Sequence, residues 1–92
     1  MYVGTLRVRL ILRQSRSLKD KRQVVNSIKD RLRNSFNISI AEVDLMDDRQ
    51  QAVLGMAMVS NEASHLQGAL QKIVEALRIH PVAELAKYEI DA

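Results

Sequence analysis

The sequence predicts an α+β domain whose elements follow the order β-α-β-β-α-β. Residues 2–12 and 51–60 have the apolar content and two-residue period of strands. Residues 18–34 and 62–78 repeat apolar side chains every three or four positions, as amphipathic helices do. The chain has 92 residues with only three Gly and one Pro, and no low-complexity stretch interrupts it. We therefore expect a single domain over residues 1–92.

The first strand and the first helix are separated by a short polar break. From Tyr2 to Leu12 the even positions carry apolar residues, from Leu6 onward without exception, and this predicts a half-buried strand. After the break, Ser17 and Asp20 have the spacing of a capping box. The first helix is predicted from about Leu18 to Asn34.

The second half of the chain adds two strands, a helix and a last strand. Their predicted bounds are 36–45 for the second strand, 51–60 for the third, 62–78 for the second helix and 82–91 for the fourth strand. Residues 46–50 have the composition of a hairpin turn. Ser60 or Asn61 is expected to cap the second helix, and Pro81 cannot continue it.

Right-handed crossovers place both helices on one face of a four-stranded antiparallel sheet, which is the ferredoxin-like arrangement. The other face is then bare. With the even positions of the first strand under the helices, Arg7, Arg9 and Arg13 fall on the bare face. The third strand is apolar on both sides, so this face is expected to be partly hydrophobic. Such a patch serves a partner or self-association, or it is a shallow patch that needs no partner.

The charge is distributed unevenly along the chain. Residues 1–34 carry ten Lys/Arg and two acidic residues, whereas residues 35–92 carry four basic and nine acidic residues. Concentrated positive charge creates a local field that attracts an anionic partner, and nucleic acid is the commonest one.

The first helix carries the strongest candidate for a binding surface. Arg22, Asn26, Lys29 and Arg33 line up at one-turn spacing, and Lys19 and Lys21 lie in the first turn. The full set of candidate nucleic-acid-binding residues is Lys19, Lys21, Arg22, Asn26, Lys29, Arg33, Arg7, Arg9, Arg13 and Arg16. The alternative is that these long side chains only solvate the flanks of an amphipathic helix.

No pattern in the chain predicts catalysis, a cofactor or a metal. Cys is absent, which excludes disulfides and thiolate sites. His65 is expected on the surface, and His80 at the helix end, where a cation suits the helix dipole. The glycines are isolated, so no phosphate-binding loop is formed. We expect no catalytic residue, and an enzyme acting on a small phosphorylated substrate would lack a base or a nucleophile.

Other features limit the partners and the location. Tyr2, Phe36 and Tyr88 are the three aromatic residues, and none gives the central strands a platform for stacking RNA bases. No apolar run approaches the length of a membrane span, and no secretory signal is recognised. We therefore expect a cytoplasmic protein that does not enter membranes.

Residues 17–25, which read SLKDKRQVV, resemble the hallmark of the YlxP-like family of bacterial domains of unknown function. The similarity continues through residues 27–33 and 36–43 and includes Val3-Gly4 and Leu54-Gly55. The resemblance implies a ferredoxin-like fold and a bacterial cytosolic protein. Genes of this family often lie beside genes for translation initiation and ribosome maturation, which implies a link to the ribosome. It supplies no catalytic residues.

Together these observations predict a small non-enzymatic protein that associates with ribosomal RNA or ribosomal subunits through a basic helix surface. The alternative is a protein-interaction or dimerisation module that uses the open sheet face or an edge strand, with a homodimer as one form.

Overall fold

The computed structural model describes all 92 residues and contains four strands and two helices in the predicted order. Their bounds are β1 Tyr2–Ile11, α1 Leu18–Ser35, β2 Ser39–Asp44, β3 Gln51–Ser60, α2 Ala63–Arg78 and β4 Glu84–Asp91. The strands form one antiparallel sheet in the order β2-β3-β1-β4. The ferredoxin-like prediction is confirmed. Neither helix combines the length and the apolar composition that crossing a membrane requires.

The core lies between the helices and one face of the sheet. Leu6, Val8 and Leu10 of β1 are almost fully buried there, as the alternation predicted. α2 approaches β1 so closely that a Cβ at Gly4 would lie 2.9 Å from the Leu70 Cδ1 atom. A larger residue at position 4 would therefore require the Leu66 and Leu70 side chains of α2 to shift. Burial of the apolar faces holds both helices on the sheet.

The two helix starts differ in how they are capped. The Ser17 hydroxyl accepts a hydrogen bond from the Asp20 N–H at 3.0 Å, which confirms one half of the predicted capping box. The Asp20 carboxylate accepts from the Arg16 N–H instead of the Ser17 N–H. The predicted cap of α2 is wrong, because Glu62 occupies the N-cap position and its side chain makes no capping bond. The Ser60 hydroxyl accepts from the N–H of Glu62, which is the N-cap residue itself, so it does not cap an N–H of the first helical turn.

β4 begins at Glu84 instead of at residue 82, because His80 organises the preceding turn. Its imidazole Nδ1 accepts hydrogen bonds from the Val82 and Ala83 N–H groups at 3.2 and 3.0 Å. Burial of the ring, and then the nearby Arg31 charge, lower the pKa of His80 from 6.5. The expectation of a cation at this helix end is therefore wrong, since a neutral ring is needed for Nδ1 to accept.

Candidate nucleic-acid interface

The basic side chains predicted on α1 line the flank of the helix that overhangs β2. We call Lys19, Arg22, Asn26, Lys29 and Arg33 the basic row. α1 buries Val25, Ile28 and Leu32 against the sheet, and the basic row runs beside this buried face. The position of the row relative to β2 is fixed by Arg33, whose Nη2 donates to the Ile40 carbonyl at 3.1 Å.

Most of the basic row is electrostatically unmatched. Lys19 and Arg22 are exposed and Lys29 is half-buried, and none of the three forms an ion pair or a side-chain hydrogen bond. Arg33 is engaged more fully, because it also lies 3.8 Å from the Asp30 carboxylate. Three cations on one flank therefore contribute a field that nothing inside the protein neutralises.

Lys21 does not belong to this surface. Its side chain is 0% exposed, and Nζ donates to the carbonyls of Leu45, Met46 and Gln51 at 3.0, 3.1 and 3.2 Å. Nζ also lies 2.9 Å from Glu42 Oε2. The three protons are taken by the carbonyls, so this last contact is an ion pair without hydrogen-bond geometry, and Oε2 is left without a donor. The prediction that Lys21 contacts phosphate is wrong.

A sequence signal for the burial of Lys21 exists in the spacing of the inner face of α1. Position 21 lies four residues before Val25 and seven before Ile28, which is the period of the buried stripe. A lysine in that register needs internal oxygen partners, because an unpaired buried ammonium is costly. The partners come from the hairpin between β2 and β3, which sequence patterns could not place beside α1.

The buried Lys21 fastens the hairpin to the start of α1. Leu45 sits in the left-handed region with φ 56°, and its carbonyl is one of the three that Lys21 holds. Gln50 secures the other side of the loop, because its side-chain amide donates to the carbonyls of Arg13 and Ser15 at 3.2 Å. The hairpin and the β1–α1 loop therefore form one packed end of the molecule.

This packing places Arg49 at the same end of the molecule as the β1–α1 loop and the start of α1. Arg49 is exposed, forms no ion pair, and precedes the Gln50 that bonds to the β1–α1 loop. Arg16, in that loop, is also exposed and has no side-chain partner. Sequence reasoning missed Arg49 because it lies in the acidic half of the chain, within a turn, and no periodic pattern marks it.

The arginines of β1 lie on another surface and are matched by partners. Arg7 and Arg9 project from the open face of the sheet, on the side away from the helices. Arg7 pairs with Asp44 at 3.2 Å, and Arg9 donates to the Gln51 side chain at 2.9 Å. Arg13, just beyond the end of β1, pairs with Glu84 at 2.9 Å. The predicted basic residues therefore form two surfaces. Arg7 and Arg13 are neutralised by carboxylates, whereas the hydrogen bond of Arg9 to the neutral Gln51 amide orients its side chain without cancelling its charge.

The open face also carries an apolar patch, as the sequence of the third strand predicted. Val3 and Val59 are 55% and 56% exposed and lie opposite each other in the β1–β3 register. Val43 of β2 is exposed on the same face and packs over Gly55, where an added Cβ would come within 3.0 Å of its side chain. No group of three or more His, Cys, Asp or Glu side chains converges anywhere in the chain to hold a metal ion.

The comparison with known proteins identifies the family. A family model described as "Protein of unknown function (DUF503)" matches residues 3–90. The chain belongs to the DUF503 family. The "Uncharacterized protein YlxP" of Bacillus subtilis (strain 168) is 32% identical over 82 residues, which cover 89% of this chain and 89% of that protein. The YlxP-like resemblance, which runs over nearly the whole chain, is thereby confirmed.

Proposed function

We propose that this DUF503 protein is a non-enzymatic cytoplasmic protein that binds RNA through the basic row, with ribosomal RNA or ribosomal subunits as its partners. One observation carries the proposal: Lys19, Arg22 and Lys29 project from one flank of α1 without any acidic partner. Cations that are left unmatched inside a protein are available to release counterions from a nucleic-acid backbone.

The spacing of the basic row supports contacts with phosphates. Successive members lie three or four residues apart, close to one turn or about 5.4 Å along the helix, and Arg22 and Arg33 are about 16 Å apart along the axis. Asn26 adds an amide donor between the cations. No aromatic side chain belongs to the row, so it offers backbone contacts without stacking of bases. Structured RNA, recognised by shape and charge, fits this surface better than an unpaired sequence.

Arg16 and Arg49 extend the proposed surface beyond the helix. Both are exposed and unpaired at the end of the molecule where the hairpin packs against the start of α1. The choice of ribosomal RNA has separate support, the gene neighbourhood that the YlxP-like resemblance implies.

Filter binding of a ribosomal RNA fragment tests the proposal. Affinity should fall between about 50 mM and about 200 mM salt, with a log–log slope of roughly −0.7 to −0.9 per phosphate neutralised. The double variant Arg22→Glu/Lys29→Glu should weaken binding at least tenfold and reduce the slope by about 2. Both side chains lack partners, so the fold should be retained.

A matched control separates a specific surface from net charge. Arg31→Glu/Lys72→Glu makes the same change in net charge at two exposed cations outside the basic row. This variant should keep most of the affinity. Equal losses in the two double variants would contradict a role for the basic row. Co-sedimentation with ribosomal subunits should show the same difference between the variants.

A second candidate function is self-association through the open face, and the exposed Val3–Val59 pair favours it. Val59→Lys places a charge in this apolar patch without touching the core. Light scattering at micromolar concentration should then show a dimer for the wild-type protein and a monomer for the variant. If the wild-type protein is a monomer under these conditions, self-association through the open face is rejected. The proposal of RNA binding is not changed by that result.

A further inference from the structure

We propose that the free edge of β2, beside the basic row, accepts an extended acidic segment of a partner protein as a fifth strand. The segment alternates carboxylate and apolar side chains. Addition of a strand to an exposed sheet edge is a general mode of peptide recognition, in which the backbone supplies affinity and alternate side chains supply specificity. This inference does not rest on RNA binding, but the two ligands would compete for the basic row.

The hydrogen-bond alternation of the sheet identifies the free groups of β2. The Leu12 N–H donates to the Gln50 carbonyl at 2.7 Å, and this contact continues the β1–β3 ladder. In this alternation the backbone N–H and C=O groups of Leu54 and Met56 point toward β1, and those of Gly55 and Ala57 point toward β2. Since Ala57 and Gly55 pair with Ser39 and Ala41, the N–H and C=O groups of Ile40 and Glu42 face outward.

Arg33 confirms this assignment from outside the sheet. Its guanidinium donates to the Ile40 carbonyl, which is one of the outward-facing groups. A strand that docks on β2 would replace this bond with a backbone N–H. The guanidinium would then be free to bind a carboxylate of the incoming segment, so no buried donor or acceptor is left unmatched.

The two sides of the edge select different side chains. On the open face, an added strand would lie beside Ser39, Ala41 and Val43, which are small or apolar. On the helix side it would lie beside the basic row. Because successive side chains of a strand point to opposite faces, the complementary segment carries apolar residues on one face and carboxylates on the other.

The basic row and β2 also match in length. Arg33 is placed beside Ile40, and Lys21, next to Arg22, holds the carbonyls of Leu45 and Met46 just beyond the end of β2. The row from residue 22 to residue 33 spans about 16 Å of helix. Five to six residues of strand span about the same distance. The β2–β3 pairing shifts register between Glu42 and Asp44, so a segment of this length would pair with Ile40 and Glu42 and continue beside the first turns of α1.

A second copy of this chain does not fit the same edge. Pairing β2 with β2 of another molecule would place two basic rows side by side, and like charges would oppose the contact. The β2 carboxylate on the helix side, Glu42, is already paired with the buried Lys21. The charge complement of this edge is therefore an acidic chain from a different protein.

The opposite edge of the sheet provides an internal control. β4 carries both signs of charge on its open side, at Lys87, Glu89 and Asp91. On its helix side Arg78 lies over the Tyr88 ring, 5.4 Å from the centroid. Mixed charge protects an edge strand against addition of another strand, whereas β2 has the cations of the basic row on its helix side and Ser39, Ala41 and Val43 on its open side, up to the register shift before Asp44.

The test uses an eight-residue peptide with Glu at alternate positions and Val or Thr between them. Its controls are a scrambled peptide of the same composition and a peptide with Lys in place of Glu. Amide hydrogen exchange is followed by NMR in the presence of each peptide. The alternating acidic peptide should slow exchange at Ile40 and Glu42 at least tenfold and leave Tyr88 and Ile90 on the β4 edge unchanged.

The variants give a second readout. Arg22→Glu/Lys29→Glu should weaken peptide binding at least tenfold, and Arg31→Glu/Lys72→Glu should not. Equal binding of the scrambled peptide, or protection that appears at β4, would overturn the proposal. Protection of Ile40 and Glu42 by a duplex RNA but not by the acidic peptide would also overturn it, while supporting RNA as the occupant of the row.

Discussion

Lys21 and Arg22 are adjacent and carry the same charge, yet they lie in opposite environments. Lys21 is enclosed by three carbonyls and the Glu42 carboxylate, whereas Arg22 projects into solvent without a partner. A rotation of about 100° around the helix separates an internal structural cation from a candidate binding group. The availability of a charge therefore depends on its partners, and counting basic residues overstates the interface.

The same difference separates α1 from β1. Arg7 of β1 forms an ion pair with Asp44 and Arg9 is held by a hydrogen bond to Gln51, whereas Lys19 and Lys29 of the basic row have no side-chain partner. Paired surface charges have small effects on stability and little remaining field. The following changes test whether this division between matched and unmatched cations is real.

The largest effect is expected for Lys21→Met, which keeps the length of the stem and removes the ammonium. It leaves the Glu42 carboxylate, whose side chain is 18% exposed, without a counter-charge and three carbonyls without their donor. Loss of one partner of a buried pair costs about 3–5 kcal/mol. Urea unfolding should show this loss.

The double variant Lys21→Met/Glu42→Gln separates the charge from the carbonyl bonds. Removing both charges should recover part of the lost stability, because no isolated ion remains. If the single variant is as stable as the wild type, Lys21 has no structural role and the comparison with Arg22 fails.

Ser17→Ala should have an intermediate effect. The Ser17 hydroxyl accepts from the Asp20 N–H at the start of α1, which carries the basic row. Loss of such a cap costs about 1 kcal/mol. Thermal unfolding measures the change, and RNA affinity of the folded variant should stay near that of the wild type. A large loss of RNA affinity would show that binding by the basic row depends on an intact first turn of α1 more than on the charges of the row.

His80→Asn should remove a pH dependence of stability. Burial and Arg31 hold the native pKa of His80 below its unfolded value of 6.5, so the unfolded chain binds the proton more readily. Stability is complete above pH 6.5 and is lost as pH falls through the native pKa. The Asn carbonyl oxygen can accept from Val82 and Ala83 at every pH. Urea midpoints measured down to about pH 5 should fall less in the variant than in the wild type.

The smallest effect is expected for Arg7→Ala. The Arg7–Asp44 pair is exposed on both sides, and such pairs contribute about 0–1 kcal/mol. RNA affinity should be unchanged, in contrast to Arg22→Ala, which should weaken it. Similar losses of affinity for these two variants would break the division between the open face and the basic row.

Much of the fold could be predicted because its periods are local properties of the chain. The bounds of β3 were predicted to the residue, and α1 ends one residue beyond its predicted end. The start of β4 could not be predicted, because the N–H groups of Val82 and Ala83 donate to the imidazole of His80 instead of pairing with a neighbouring strand. The predicted cap of α2 was wrong because the helix begins later than expected: Glu62 is the N-cap, and Ser60, two residues before it, accepts from the Glu62 N–H and not from the first helical turn.

By itself, the sequence determined the order of elements, the ferredoxin-like arrangement and the row of cations at one-turn spacing on α1, because these follow from periods of two and 3.6 residues. Only the tertiary structure decided which cations are free. Lys21 is removed from the surface by carbonyls 24 to 30 residues away, and Arg49 is added to it by the packing of the hairpin. Electrostatic partners are brought together by the fold across long separations in sequence, and no local pattern contains them.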